Sequence, residues 1–239
     1  MDWNKFKPMF DETWHEVMKP FIESEACDKL YAFLKAESMK GKKIAPLSKD
    51  TFRCFKETRM DEVKVVMIGM CPYHTFTSAD VPIADGLLMG CTVTDVLQPS
   101  LDQFYDGIET ELYNGLNLNM IKSTDVSYLS RQGVLMFNAA LTTEKGKAGA
   151  HQEVWEPFIK YMFENVFNKM EVPIIYLGKE AERCSKYSKN PSLDFPVSHP
   201  ASASYRQTKW NSEGVFKRVN ELVWEKEQDT IAWFVEPPF

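Results

Sequence analysis

Four short apolar runs constrain what this chain can fold into more than any other feature of its sequence. They are residues 63–68, 133–138, 172–177 and 195–198. Each run is mostly apolar, without the polar alternation of a strand that has one face in water. Such runs are typical of strands buried on both faces of a parallel sheet.

Helical patterns separate these runs. Apolar residues recur at helical spacing in residues 10–19 and 27–36, and more clearly in 99–112, 155–168 and 210–226, the last with a helix start predicted at 211–213. Strand and helix in alternation predict an α/β fold, in which a central four-stranded, mostly parallel sheet is flanked by helices. Neither repeats nor a low-complexity linker interrupt the pattern, so residues 1–239 are expected to form a single domain.

Residues with chemical potential follow the ends of the predicted strands. They are Gly69-Met70-Cys71-Pro72-Tyr73-His74, Asn138, Gly178-Lys179 and His199-Pro200. In open α/β sheets ligands bind beyond the carboxyl ends of the strands, so this convergence predicts a site there. Taken singly, each residue has a structural alternative: Asn138 as an Asx turn, His199 as a structural histidine, and Tyr73 as the plug of a rigid turn.

Charge and cysteine content limit the classes of function. The net charge of −6 argues mildly against gripping DNA by bulk neutralisation, but backbone N–H groups can still hold a few phosphates. The five cysteines are scattered without a Cys-x-x-Cys pair, which predicts reduced thiols in the cytosol and no metal site. No apolar run approaches the ~20 residues needed to cross a bilayer, and the N-terminus lacks the pattern of a signal peptide.

Five motifs, in order, resemble those of the uracil-DNA glycosylase family, of the family 1 type. Residues 61–74 are similar to DVKVVILGQDPYH and residues 98–101 to PPSL. Residues 131–142 are similar to RQGVLLLNxxLT, 177–181 to WGSxA, and 199–204 to HPSPLS. The resemblance covers residues 44–239 and leaves 1–43 as an N-terminal helical segment.

The resemblance implies that uracil is flipped out of DNA and its N-glycosidic bond hydrolysed, without metal or cofactor. Asn138 would bind the uracil edge, Tyr73 would exclude the methyl group of thymine, and His199 would donate to uracil O2 as charge develops there. Met70 and Met89 would also line the uracil site. The resemblance places a further set of residues at the DNA backbone: Ser100, Gly178, Lys179, Ser202, Ala203, Ser204, Tyr205 and Arg206.

The chain departs from the family at functional positions. Met70-Cys71 replaces the Gln-Asp of the water-activating loop, and Met89 replaces the phenylalanine that stacks on uracil. The leucine that wedges into the base stack has no equivalent in residues 201–204, and Tyr205-Arg206 matches a Tyr-Arg pair beyond that loop in some members. The change to Cys71 matters most, because a thiol of ordinary pKa is largely neutral at pH 7.

Three functions remain open. The first is a uracil-DNA glycosylase with a slowed or altered catalytic step, in which Cys71 and His199 are the catalytic positions; the retained Asn138, Tyr73 and His199 favour it. The second is a protein that binds uracil-containing DNA without cutting it, and the third is an enzyme with Cys71 as nucleophile on the sugar or a modified base. A purely structural partner-binding protein is the alternative from another class.

The expected partner is uracil-containing DNA, single or double stranded. A protein inhibitor or replication partner is a further expectation, and no membrane is expected. The chain is predicted to act as a monomer in the cytoplasm, or in the nucleus or host cytoplasm if it is eukaryotic or viral.

Overall fold

A computed structural model of the chain describes residues 1–114 and 121–235. Its strands, β1 to β6, are Ile44–Ala45, Val65–Gly69, Val134–Asn138, Thr143–Glu144, Ile174–Leu177 and Asp194–Val197. Its α-helices, α1 to α11, are Trp3–Phe6, His15–Ile22, Glu25–Met39, Arg53–Glu57, Pro99–Tyr113, Ser127–Ser130, Gln152–Met162, Asn168–Met170, Lys179–Glu182, Pro200–Arg206 and Val215–Glu227.

The central sheet has four parallel strands in the order β3-β2-β5-β6. Every residue of β2, β3 and β5 is buried, which explains why these strands are continuous apolar runs. Strand β6 lies at the edge and carries the exposed Pro196, whose missing N–H is tolerated only at such a position. The predicted fold class is confirmed.

Aromatic side chains pack the helices onto the sheet. Phe137 of β3 contacts Phe55 of α4 and Phe167, with ring centroids 5.6 and 5.7 Å apart. Phe158 of α7 also packs against Phe55, with ring centroids 6.0 Å apart. The N-terminal helices join the same core through Phe21 of α2, which lies 4.7 Å from Phe158.

Two of the predicted helices, 210–226 and 155–168, have different bounds in the structure. Residues 210–214 precede α11 instead of beginning it, because Trp210 is buried against Gly107 of α5 and its indole N–H donates to Ser198 O at 2.8 Å. The left-handed φ of +77° at Gly214 then sets the start of α11 at Val215. In the predicted helix 155–168, α7 gives way to a π-helical turn at Phe163–Phe167.

No helix in the described part of the chain is both long and apolar enough to span a membrane. A second, two-stranded sheet pairs β1 with β4 in antiparallel register. This small sheet joins the segment before α4 to the segment that follows Asn138. It therefore lies next to the carboxyl edge of the central sheet, where the candidate site is found.

Candidate functional site

Gly69 and Asn138 are paired at the carboxyl ends of the neighbouring strands β2 and β3. A Cβ atom at Gly69 would lie 2.9 Å from Asn138 Oδ1 and would run into the Leu88 side chain. Glycine is thus required here so that the Asn138 amide can lie across the end of β2. Leu88 was not identified from the sequence, because it follows no predicted strand.

The Asn138 side chain is buried but lacks a hydrogen-bond partner. Its exposed fraction is 2 %, and its Oδ1 is buried without a donor among the residues that the structure describes. An Asx turn would use this oxygen, so that alternative is wrong. A buried acceptor left unpaired costs about 1–3 kcal/mol, which a ligand with an N–H group would recover.

Tyr73 and Ser100 are joined at the same edge. Their hydroxyl groups lie 2.7 Å apart, which links the loop after β2 to the first turn of α5. Burial raises the pKa of the Tyr73 phenol, so the ring carries no charge at neutral pH. Ser100 is itself buried, so its hydroxyl positions Tyr73 in this structure.

His199 follows β6 and caps α10. Its Nδ1 accepts the backbone N–H of Ala201 at 3.1 Å, which fixes the tautomer that carries its proton on Nε2. Burial lowers its pKa from 6.5 to about 4, so the ring is neutral at pH 7. A Cβ atom at Gly178, where φ is +87°, would lie 2.9 Å from His199 Cβ, so glycine lets β5 end beside the imidazole.

The two central strands are therefore completed by glycine, Gly69 at the end of β2 and Gly178 directly after β5, whereas polar side chains lie at the end of β3 and just beyond β6. With strands ~4.8 Å apart, β3 and β6 are separated by about 14 Å between backbones. Asn138 at the end of β3 and His199 just beyond β6 therefore lie on opposite margins of this edge, with Gly69 and Gly178 between them in the strand order.

Cys71 lies in the loop after β2 and is half-buried. Its Sγ accepts the backbone N–H of Gly149 at 3.2 Å, and the Thr143 hydroxyl also lies within its reach. Burial nevertheless raises the pKa of the thiol, so Cys71 is neutral at pH 7. The sulfur ties the loop after β2 to the segment after β4, and Gly149 and Thr143 were not identified from the sequence.

Met70 begins this loop, and Met89 lies in the turn that follows Asp85. A Cβ at Gly149 would lie 3.5 Å from Met70 Sδ, so Met70 neighbours the Cys71–Gly149 contact. Met89 is buried and adopts a left-handed φ of +60°, which is costly for a residue with a side chain. Buried Asp85 helps hold this turn, because its carboxylate pairs with Arg53 Nη1 at 2.9 Å and accepts the Leu87 N–H.

Helix α10 carries most of the remaining predicted DNA contacts, and Lys179 of α9 is the other. Ser204 Oγ donates to Pro99 O at 3.0 Å and so attaches α10 to the start of α5. Ala203 is buried, whereas Ser202 is half-buried and Arg206 exposed. Tyr205 is 88 % exposed, the highest value among the large hydrophobic side chains described. Lys179 begins α9 directly after Gly178 and has no ion pair in the described part of the chain.

Comparisons with known proteins decide the family. Residues 55–223 match the model of the uracil DNA glycosylase superfamily. The chain belongs to this superfamily. The predictions of the family and of a DNA N-glycosylase as the class of enzyme are confirmed.

Two relatives carry the name uracil-DNA glycosylase. That of Acinetobacter baumannii is 28% identical over 231 residues, which are 95% of this chain and 93% of the relative. That of Ralstonia pickettii is 30% identical over 225 residues, 92% of this chain and 83% of the relative. The crystal structure of mimivirus uracil-DNA glycosylase shares the fold, with a TM-score of 0.82, 19% identity, and coverage of 98% of this chain and 89% of that one.

Metal ligands are not grouped at this site. Among residues 1–114 and 121–235, no three or more His, Cys, Asp or Glu side chains are arranged to hold a metal ion. The polar side chains described at the sheet edge are the amide of Asn138, the phenol of Tyr73, the neutral imidazole of His199 and the neutral thiol of Cys71.

Proposed function

We propose that this chain excises uracil from DNA with Asn138, Tyr73 and His199 as recognition groups, and that hydrolysis is slow because no carboxylate guides the attacking water. The observation that carries the proposal is the buried, unpaired Oδ1 of Asn138. Uracil presents an N–H at N3 that this oxygen can accept, whereas N3 of cytosine is itself an acceptor. The site therefore suits an imide and disfavours cytosine.

His199 supports the step in which the glycosidic bond breaks. Negative charge then accumulates on uracil O2, and a donor aimed at it stabilises the transition state. The Nδ1 contact with Ala201 leaves the proton on Nε2, and the lowered pKa keeps the ring neutral. A neutral donor of fixed direction stabilises the departing anion without having to lose a proton.

Cys71 limits the later step. The neutral thiol offers no charge to the cationic sugar and no base for water, and such a loss typically costs ~10²–10⁴ in rate. The same observation supports the second candidate, a protein that binds uracil-containing DNA without cutting it. A Cys71 nucleophile has less support, because the thiol is protonated and its sulfur already accepts the Gly149 N–H.

We assign the contacts with DNA to α10 and the loops beside it. Tyr205 presents an exposed ring that can stack on a base, and Arg206 and Lys179 provide charge for phosphates. The Gly178 backbone and the Ser202 hydroxyl complete this surface.

A mimivirus uracil-DNA glycosylase variant with a TM-score of 0.80 was solved in complex with UGI, and we extend to this chain the proposal of a protein inhibitor. Action as a monomer in the cytoplasm is part of the proposal.

The test is a uracil-release assay with enzyme in excess over a fluorescent single-stranded oligonucleotide that carries one deoxyuridine. Alkali converts each abasic site into a strand break, which a denaturing gel resolves. We expect slow but complete cleavage by the wild type. The rate for His199→Ala should be about 10²-fold lower, because removal of one donor to a developing oxyanion typically lowers the rate by about that factor. Lys217→Glu, an exposed change on α11, is the matched control and should leave the rate unchanged.

Each alternative predicts a different gel. Tight binding of the uracil oligonucleotide without strand breaks would favour the binding-only function. A protein–DNA adduct that survives denaturation and is lost in Cys71→Ser would favour the nucleophile. No preference for uracil over thymine in either binding or cleavage would refute the proposal.

A further inference from the structure

A large apolar groove lies between α3 and the segment that runs from β1 to α4. Its volume is about 910 Å³. One side is a stripe of α3 at helical spacing, formed by Cys27, Leu30, Tyr31, Leu34 and Ser38. From Cys27 to Met39 the stripe extends about 18 Å, the length of about 12 helical residues.

Apolar side chains in this groove are left in contact with solvent. Tyr31 is 47% exposed, Met39 79% and Leu47 41%. These three are among the eight large hydrophobic side chains that are exposed in the described part of the chain, and all three line the groove. Clustered exposure of this kind marks a surface that binds something, whereas single exposed hydrophobes do not.

The charge of the groove is opposite to that of the chain. Five of the described residues that line the groove are lysines and none is Asp or Glu, whereas the whole chain has more acidic residues (34) than basic ones (28). Lys42 pairs with Glu37 and Glu144, and Lys43 with Asp80. The other three, Lys35, Lys49 and Lys56, are exposed and make no ion pair with the residues that the structure describes.

We propose that this lysine-rimmed groove is a docking site for an acidic amphipathic segment of a partner protein. The apolar stripe matches the apolar face of such a segment, and the three unpaired lysines match its carboxylates. A helix laid along α3 would use the i, i+3, i+4, i+7 spacing of helix-in-groove recognition. Nucleic acid fits less well, because a phosphate backbone has no counterpart for Tyr31, Leu34 and Met39.

The groove uses residues other than the recognition groups of the sheet edge. Its base is formed in part by Thr142 and Trp155, which are joined by a hydrogen bond of 2.7 Å from the indole N–H to the threonine hydroxyl. Thr143, the next residue, lies beside Cys71. A partner in the groove would therefore contact the segment that holds the catalytic loop while leaving Asn138 and His199 free for DNA.

The test uses three fluorescein-labelled peptides of about 14 residues and measures fluorescence anisotropy with the full chain. The first has leucines at i, i+3, i+4 and i+7 and glutamates elsewhere; the second has the same composition with the leucines spread around the helix; the third has lysine in place of glutamate. We expect only the first to bind, with a dissociation constant below about 100 µM. Single-stranded DNA without uracil, and vesicles of phosphatidylserine and phosphatidylcholine, are tested alongside.

Charge reversal locates the binding. Lys35→Glu, Lys49→Glu and Lys56→Glu together should weaken the first peptide about tenfold or more, the effect of losing three exposed ion pairs. Lys169→Glu, Lys189→Glu and Lys217→Glu together carry the same charge change away from the groove and should leave its affinity unchanged. Both triple variants should keep wild-type uracil release, so failure of this proposal is distinguishable from failure of the proposed function.

Four results would overturn the proposal. The first is no binding of the first peptide, the second is equal binding of all three peptides, and the third is equal loss of binding in both triple variants. The fourth is binding of the vesicles or the DNA that exceeds peptide binding and is lost on reversal of the groove lysines, which would assign the groove to a lipid or nucleic-acid surface. Circular dichroism of both variants establishes that they are folded.

Discussion

The two margins of this sheet edge differ from the loop after β2. At the margins, Asn138 and His199 keep hydrogen-bonding groups free: Asn138 Oδ1 has no donor among the residues that the structure describes, and His199 carries its proton on Nε2 because Nδ1 accepts the Ala201 N–H. In the loop after β2, Cys71 is satisfied from within the protein by the Gly149 N–H. The edge thus keeps hydrogen-bonding groups free at Asn138 and His199, whereas the Cys71 sulfur is already in contact with the protein backbone.

In the proposed function, recognition and hydrolysis depend on different residues of this edge. A carboxylate in the loop would supply about 3–5 kcal/mol to the transition state, equal to a few orders of magnitude in rate. Enzymatic acceleration of such reactions is much larger than this, so we expect a chain without the carboxylate to be a slow enzyme. The first three predictions test the groups proposed to bind uracil and DNA, from the largest expected effect to the smallest.

Asn138→Asp should have the largest effect. A carboxylate at this buried position brings a charge without a cation to pair with it, and it loses the amide N–H donors. We expect the single-turnover rate on uracil to fall at least about a hundredfold. Release of cytosine from a matched oligonucleotide should become detectable relative to uracil. An unchanged rate on uracil would show that Asn138 does not contact the base.

Tyr205→Ala should have a moderate effect. The ring is exposed and contributes little to the fold, so the thermal unfolding temperature should change little. Loss of one base-stacking contact, worth about 1–3 kcal/mol, should weaken binding of uracil-containing DNA roughly tenfold or more. Tyr205→Phe is the matched control and should bind like the wild type, because stacking needs the ring alone. Equal binding by all three proteins would remove Tyr205 from the DNA surface.

The pH dependence should show the smallest effect. Burial lowers the pKa of His199 to about 4, so the imidazole stays neutral when the pH falls through 6.5, where a free histidine would gain a proton. The rate of uracil release should therefore show no inflection from His199 between about pH 5 and pH 8. The unfolded chain binds this proton more readily, so folding stability from the neutral ring is lost as the pH falls from 6.5 toward about 4. An inflection near 6.5 that disappears in His199→Ala would contradict a buried, neutral ring.

The local sequence pattern was sufficient to predict the sheet and part of the candidate site. Buried parallel strands are apolar throughout, so the four runs were visible in the sequence, and the carboxyl ends of such strands must meet, which brought Gly69 and Asn138 together. The start of α11 was not predictable locally, because Trp210 is held by Gly107 and Ser198 far along the chain.

Contacts between segments that are distant in sequence could not be predicted from the sequence pattern either. The Gly149 N–H that meets Cys71 lies 78 residues away, in a turn with no periodic signal. The bond between Tyr73 and Ser100 likewise joins a loop to the first turn of α5, and their approach depends on the packed fold. Such contacts determine whether Cys71 is available for chemistry, and they follow from tertiary packing alone.

The absence of a carboxylate at Cys71 is proposed to limit hydrolysis, and the single-turnover rates of the wild type and Cys71→Asp test this most directly. The new carboxylate can accept the Gly149 N–H and lie near the Thr143 hydroxyl, so the loop should keep its position. We expect Cys71→Asp to release uracil faster by about tenfold or more, with full family-like recovery prevented by Met70 and Met89. Cys71→Asn, of the same shape but without charge, should match the wild type. A fast wild type that is slowed by Cys71→Asp would show instead that the thiol takes part in a working mechanism.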